Sequence, residues 1–234
     1  ADPEARGRRE AMAVDIADAA AVRRAAQGAD AVFNLVGAVF LPTGQAYFEL
    51  HEHGAGTVAT AAQEARTRRL VHISALGASA DAPSAADRSK AAGEVAVRWA
   101  YPEATVVRPS LLFGADDHFF TQIEAISRLS PVLPLVGADT RIQPLHVADL
   151  ADALLHVVEH PATAGRTYEA GGPRVYALQE AVQRFLKARG RSRLIVPVPY
   201  AVAGGVARVT ECLPNPPLNR EQVNLLRTDK VVSP

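Results

Sequence analysis

The sequence predicts an α/β fold, a Rossmann-like doubly wound parallel sheet with a smaller C-terminal lobe. Three observations carry that expectation. Apolar runs at residues 30–37 (DAVFNLVG), 70–74 (LVHIS) and 105–109 (TVVRP) have the length and composition of strands buried on both faces. Helix-length segments separate these runs, and alternating strands and helices build parallel sheets with right-handed crossovers. Beyond Ser110 the alternation loosens and prolines become frequent, as in a smaller lobe laid over the carboxyl ends of the strands.

The bulk properties bound the function. At 234 residues with 48% hydrophobic content, the chain suits one large domain, or one domain with a small lobe. Twenty-five basic residues balance 25 acidic ones and no basic block occurs, which argues against a nucleic-acid footprint. The single cysteine, Cys212, excludes an internal disulfide or cysteine metal site and suggests a reducing compartment. The longest apolar stretch, residues 31–41, falls well short of the roughly 20 residues of a transmembrane helix. The opening ADPEARGRRE mixes arginines with three acids, unlike a transit peptide.

In chain order, residues 12–16 read as a short strand ending near Asp15, followed by a helix over 18–27 that Gly28 closes. The strand at 30–37 leads to an Ala- and Thr-rich helix within 47–65. After the Leu70 run comes a loop of Gly, Ala, Ser and Pro. Ser84 then caps a helix through Lys90, Glu94 and Trp99, with Asp87 in its first turns to suit the dipole. The strand at 105–109 follows, then an amphipathic helix over 119–129 and a proline-broken loop, SPVLPLVG, with short strands. Residues 143–158 combine a strand entry, QPLHV, with a helix that packs back on the sheet; 166–169 read as a strand and 178–188 as a helix. The tail, 196–217, carries many prolines around a small helix.

Several motifs admit two readings. Residues 54–59 (GAGTVA) fit the G-x-G-x-x-A fingerprint, but the next strand ends at Ser74 without the acidic residue that should bind a ribose. Small residues letting a helix sit close to the sheet explain the match better. Asp15 with Ile16 could lay a carboxylate and an apolar side chain against an adenine, or Asp15 could simply cap a helix. Gly37, after Asn34, Leu35 and Val36, allows backbone to pass close to a ligand or to turn. Ser74 sits at a strand end, and Lys90 alone would be a solvated helix lysine; their joint placement at strand ends is what raises them. His51 and His53 lack a third ligand at metal spacing. Arg66, Arg68 and Arg69 read as a solvated turn.

The segment 69–94 (RLVHISALGASADAPSAADRSKAAGE) resembles the extended or atypical branch of the short-chain dehydrogenase/reductase superfamily. In that superfamily a catalytic Tyr precedes the Lys by four residues on one helical face, and the ammonium lowers the phenol's pKa. Here that position is Ala86, which has no proton to give, and Asp87 points about 100° away. NLVG at Asn34, RSKAAGE at Arg88, YPEATVVRPSLLFGADDHFF at Tyr101, RIQPLHVADLADAL at Arg141, GRTYEAGGPRVY at Gly165 and LLRTDKVVSP at Leu225 narrow the resemblance. Together they are similar to the nucleotide-binding accessory subunit of respiratory complex I and its bacterial relatives.

That resemblance implies an atypical short-chain dehydrogenase holding NADPH that is retained rather than turned over. It implies Asp15, Ile16, Leu35, Val36, Gly37, Ser74, Lys90, Pro109 and Ser110 as nucleotide contacts, and no catalytic or metal-binding residue. The role it implies is structural, without activity of its own, beside other complex I subunits near the quinone site. The place it implies is peripheral to the membrane on the matrix side of the mitochondrial inner membrane, or in bacteria the cytoplasm or the cytoplasmic face of the inner membrane. Residues 1–112 would be an incomplete NAD(P)-binding domain with 143–160 packed back on it, and 113–142 with 161–234 the smaller lobe. The family's first two strands and Gly-rich phosphate loop have no counterpart here, so an N-terminal part of the protein is expected outside this sequence; the C-terminus also stops early. A free-standing NAD(P)-dependent reductase or epimerase and an NADP-binding redox sensor are the competing readings.

Overall fold

The computed structural model describes residues 10–38, 41, 43–115, 117–210 and 219–233. Cys212, most of the opening segment and the proline-rich stretch 211–218 lie outside the described residues.

Among the described residues, four parallel strands form the central sheet. They are β1 (Ala31–Asn34), β2 (Arg69–Ile73), β3 (Thr105–Pro109) and β8 (Thr167–Ala170), in the order β1-β2-β3-β8. Consecutive strands lie side by side because helices cross over between them: α3 (Ala55–Glu64) between β1 and β2, and α4 (Ala85–Ala100) between β2 and β3. Alternate residues of β2 bury into opposite layers. Leu70 joins Ala55, Ala59, Ala62 and Val97 under α3 and α4, while Val71 packs with Leu150, Leu154 and Val157 of α6 (Val147–Glu159) on the other face. Each such Leu or Val removed from water contributes roughly 1.5–3 kcal/mol. α6 thus packs on the sheet on the side opposite α3 and α4.

Several helices start where the sequence places their caps. Asp18 accepts from Ala20 and Ala21 at the start of α1 (Ala19–Ala26), and Gly28 beyond it takes φ +75°. Ser84 Oγ accepts from the Asp87 amide to open α4. The helix expected within 47–65 is one continuous rod with a defect. α2 (Gly44–Phe48) runs into a π-helical segment, Glu49–Gly54, and then directly into α3. GAGTVA therefore lies within a helix rather than at a phosphate-binding helix start. Gly54 makes room for Ile16, and Gly56 lies against Ala96, as the close-packing reading expects.

The smaller lobe has its own core around Phe120, Leu133, Leu135, Leu178, Val182 and Leu186. It draws on α5 (His118–Leu129), β5 (Val132–Val136), α7 (Leu178–Ala188) and β10 (Leu194–Val198). SPVLPLVG is not a broken loop: β5 is a continuous strand beside β10. Pro134 is tolerated because, among the described residues, β5 pairs on one side only, so its missing N–H costs no ladder bond. Two two-residue strand pairings complete the connections among the described residues: β4 (Leu112–Phe113) with β7 (Leu145–His146), and β6 (Arg141–Ile142) with β9 (Tyr176–Ala177). The helices α8 (Tyr200–Thr210) and α9 (Arg220–Leu225) close the lobe.

Three further expectations fail. Residues 12–16 form no strand, and Met12 is exposed. Among the described residues β1 pairs only with β2, so this stretch has no neighbouring strand to bond its amides. Arg69 is also not solvated: its guanidinium donates to the Val157 carbonyl at 2.8 Å and to the Thr163 hydroxyl, tying β2 to the end of α6. Finally, β8 lies within 161–234, the stretch expected in the smaller lobe, yet it completes the main sheet beside β3.

Candidate functional site

At the carboxyl end of β1 and β2 lies a buried polar cluster. Asn34 and His72, side by side on paired strands, join through an Asn34 Nδ2 to His72 Nδ1 hydrogen bond of 3.2 Å. With Nδ1 accepting, the neutral ring carries its proton on Nε2, which is buried without a partner. Two residues on from His72, just past the end of β2, the Ser74 hydroxyl is also buried without a partner. Buried polar groups are nearly always satisfied, so two orphans side by side mark a place where a water or ligand atom belongs.

Across from them the π-helical segment delivers His51. Its Nε2 accepts the Ala38 amide at 3.2 Å, so Nδ1 donates to Ser89 Oγ at 2.8 Å, and that hydroxyl donates to the Ala86 carbonyl. A relay of three bonds thus fixes the loop after Gly37 against α4. π-helical turns are uncommon and cluster at functional sites. Gly93 permits this one: a Cβ there would run into the His51 carbonyl oxygen.

Lys90 sits between the two histidines. Its Nζ donates to the Ile73 carbonyl at 3.2 Å. Burial pushes its pKa down to about 8, partly offset by Glu94 one turn along α4. Glu94 itself is engaged by Arg108 of β3 through two hydrogen bonds, 2.8 and 2.7 Å. Burial also pushes His51 down to about 4 and His72 to about 3, with the Lys90 charge acting in the same direction. Both rings are therefore neutral at pH 7. A Cβ on Gly37 would lie 2.9 Å from Lys90 Nζ, so this glycine is where backbone crosses the amine. Because the contact is with the tip of a flexible side chain, Gly37→Ala is expected to displace the amine rather than unfold the chain. A rise in the Lys90 pKa toward that of a free lysine, followed by NMR of the ε-carbon, is the measurement that checks it.

The sequence-named residues divide into groups. Gly37, Ser74 and Lys90 belong to this cluster. Ile16 and Val36 line an adjoining apolar hollow of about 230 Å³, together with Val14, Val22, Val32 and Phe33. Asp15 stands exposed at its rim, accepting from Ala17, and Leu35 is exposed beside it. Pro109 and Ser110 are turned to structural work: the Pro109 carbonyl accepts the Leu76 amide, and Ser110 Oγ donates to the Lys230 carbonyl at 2.6 Å. His51 and His72 were not legible as site residues. Two histidines of seven have no spacing signal, and the π-turn that aims His51 inward leaves none either.

The position of the absent phenol is filled. Ala86 is buried against Tyr47 and Ala85, with Leu41 and Leu225 packed around them. Burial raises the pKa of the Tyr47 phenol, and its oxygen accepts the Leu41 amide.

A parallel sheet with its polar cluster at the strand ends defines a nucleotide-binding class of fold. The family model described as NAD(P)H-binding matches residues 1–161, and the chain belongs to that family. Among curated proteins it is 34% identical over 185 residues to "NADH dehydrogenase [ubiquinone] 1 alpha subcomplex subunit 9, mitochondrial" of Dictyostelium discoideum, which covers 79% of this chain and 51% of that protein. It is 31% identical over 234 residues to the protein of the same description in Arabidopsis thaliana, covering 95% of this chain and 58% of the relative. The chain thus spans little more than half the length of these relatives. The fold is shared with dTDP-4-dehydrorhamnose reductase from Bacillus anthracis, solved with NADP, at a TM-score of 0.69 and 19% identity over 80% of this chain and 73% of that one.

Proposed function

We infer that this protein is a non-catalytic, NADPH-holding accessory subunit of respiratory complex I. The observation that carries the reading is the pairing of a kept lysine with a lost acid. Lys90 is half-buried at the strand ends, while the place four residues before it is an alanine sealed under Tyr47. Hydride transfer to a carbonyl needs a proton donor at the reacting oxygen, and the phenol that serves in related reductases has no counterpart at position 86.

The residues suit a dinucleotide. The apolar hollow beside Asp15 and Ile16 would take an adenine, and the Lys90 ammonium with the Ser74 hydroxyl would bind ribose hydroxyls at the nicotinamide end. The bound nucleotide would supply hydride chemistry; the chain's residues would hold and orient it. The relatives' description as complex I subunits supports the assembly role, with other subunits of that complex as partners. It supports a mitochondrial location as well, peripheral to the membrane: among the described residues no helix is long and apolar enough to cross one. The proposed division is a nucleotide-binding part, 1–112 with 143–160 and β8, and a smaller lobe from the remainder.

Full-length protein is expected to copurify with respiratory-chain subunits and to release NADPH on denaturation. Lys90→Ala is expected to weaken NADPH binding at least tenfold, by about 1.4 kcal/mol or more, measured by fluorescence titration of the apoprotein. Binding unchanged in this variant, or steady turnover of NADPH with a carbonyl panel, would overturn the reading in favour of a free-standing reductase.

A further inference from the structure

The segment from Arg220 to Ser233 crosses the mouth of the sheet. Its backbone runs beside β6 and the following residue: the Lys230 amide donates to the Arg141 carbonyl at 2.8 Å, and the Lys230 carbonyl accepts from Gln143 at 3.1 Å. From there it touches the carboxyl end of three strands in turn. Over the loop after β2, Thr228 and Lys230 crowd Gly77, whose absent Cβ would lie 2.7 Å from Lys230 Nζ. At the end of β3, Ser110 holds the Lys230 carbonyl. At the end of β8, Val232 packs over Gly171 and the Ser233 amide donates to Glu169 at 2.7 Å.

Side chains fasten this segment to the first turn of α4. Lys230 Nζ reaches both carboxylate oxygens of Asp87 at 2.8 Å, with both groups largely shielded from water. Glu221 of α9 accepts the Ala86 amide at 2.7 Å, and Leu225 covers the Ala86 methyl. At the rim, Asp229 accepts from Arg141 through an exposed pair. What stays uncovered is the end of β1, where Leu35 and Val36 are exposed beside the hollow.

We propose that residues 220–233 are an intramolecular strap that fills the substrate side of the cleft, with Lys230 latched on Asp87. That this side faces a bound nucleotide rests on the reading above; the latch itself does not. The strap makes the loss of the phenol irreversible by a single change, because a ring at position 86 would have to displace Leu225 and Tyr47. Ala86→Tyr is therefore expected to restore no turnover while the strap is closed.

The strap can be read out with a thiol placed beneath it. In full-length protein carrying Cys212→Ser, the thiol introduced by Ala86→Cys is expected to be alkylated slowly by a maleimide. Lys230→Ala is expected to speed that reaction at least tenfold. Asp87→Asn should do the same, and combining the two should add nothing, since each breaks the same pair. Should Lys230→Ala fail to fold, Lys230→Gln and Arg141→Ala give smaller accelerations, with hydrogen exchange at 226–233 rising in step. Fast alkylation of the parent, or rates indifferent to Lys230 in a folded protein, would overturn the proposal. Strap-dependent alkylation without NADPH binding would leave the strap standing and remove the nucleotide reading; NADPH binding with indifferent alkylation would do the reverse.

Discussion

Replacing Gly93 by alanine is expected to prevent stable folding, although alanine is the better helix former by about 1 kcal/mol. Gly93 lies in the middle of α4, and its Cα faces the His51 carbonyl so closely that an added methyl would overlap the oxygen. Both partners are backbone atoms of packed helices, so no rotamer change relieves the contact. Either α4 must retreat from the π-helical segment or that segment must unwind. Retreat would separate His51 from Ser89 and open the cluster of Ala55, Ala59 and Val97. Losses of this kind run to several kcal/mol against a total stability of about 5–15 kcal/mol. Insoluble expression, or a urea midpoint lowered by more than 1 M, is the expected result. A soluble Gly93→Ala protein of parental stability would mean that the close approach of the two helices is not a packing requirement.

Acid should weaken the fold well before its carboxylates titrate. An unfolded histidine takes a proton near pH 6.5, whereas His51 does so at about 4 and His72 at about 3 in the folded chain. Between those values the unfolded state binds more protons, so stability is complete above pH 6.5 and falls as pH drops toward 4. Each ring contributes about 1.4 kcal/mol per pH unit in that window. At pH 5 the two together remove roughly 4 kcal/mol. Lys90, the charge that faces both rings, keeps its proton throughout this range, and its depressed pKa works elsewhere: its burial penalty is relieved only as pH rises from about 8 toward 10.5. Urea melts at pH 7.5 and 5.0 should show the loss, and His51→Gln, with one titration fewer, about half of it. Equal midpoints at both pH values would mean that the rings are hydrated and not held neutral by burial.

How far the sequence reaches is clear from where each signal resides. The strands β2 and β3, the Ser84 cap and the inward Lys90 are written locally, in apolar runs and in spacings of three or four residues. Ala86 was legible because an absence at i−4 from a lysine is itself a local pattern. Features that depend on a distant partner were not. A strand needs a neighbour, so the apolar composition of 12–16 could not decide its fate. The π-turn adds a residue to a helical circuit without any compositional mark, and it is Gly93, some 40 positions on, that makes room for it. Arg69 looked like surface until the end of α6 came down upon it. Ser110 carries a hydroxyl suited to a ligand, yet what claims it is the carbonyl of Lys230, 120 residues later.

That last separation bears on how the protein is made. Asp87 waits for a cation 143 positions downstream, and β8 joins the sheet some 60 residues after β3 has been laid down. Contacts of such long range form slowly, since the chain between them must first be brought to order. During translation, α4 would leave the ribosome with its first turn bare and a buried-to-be carboxylate in water. The nascent chain therefore stays open at the cleft until residues 220–233 emerge, which is the interval in which a cofactor could enter without first dislodging anything.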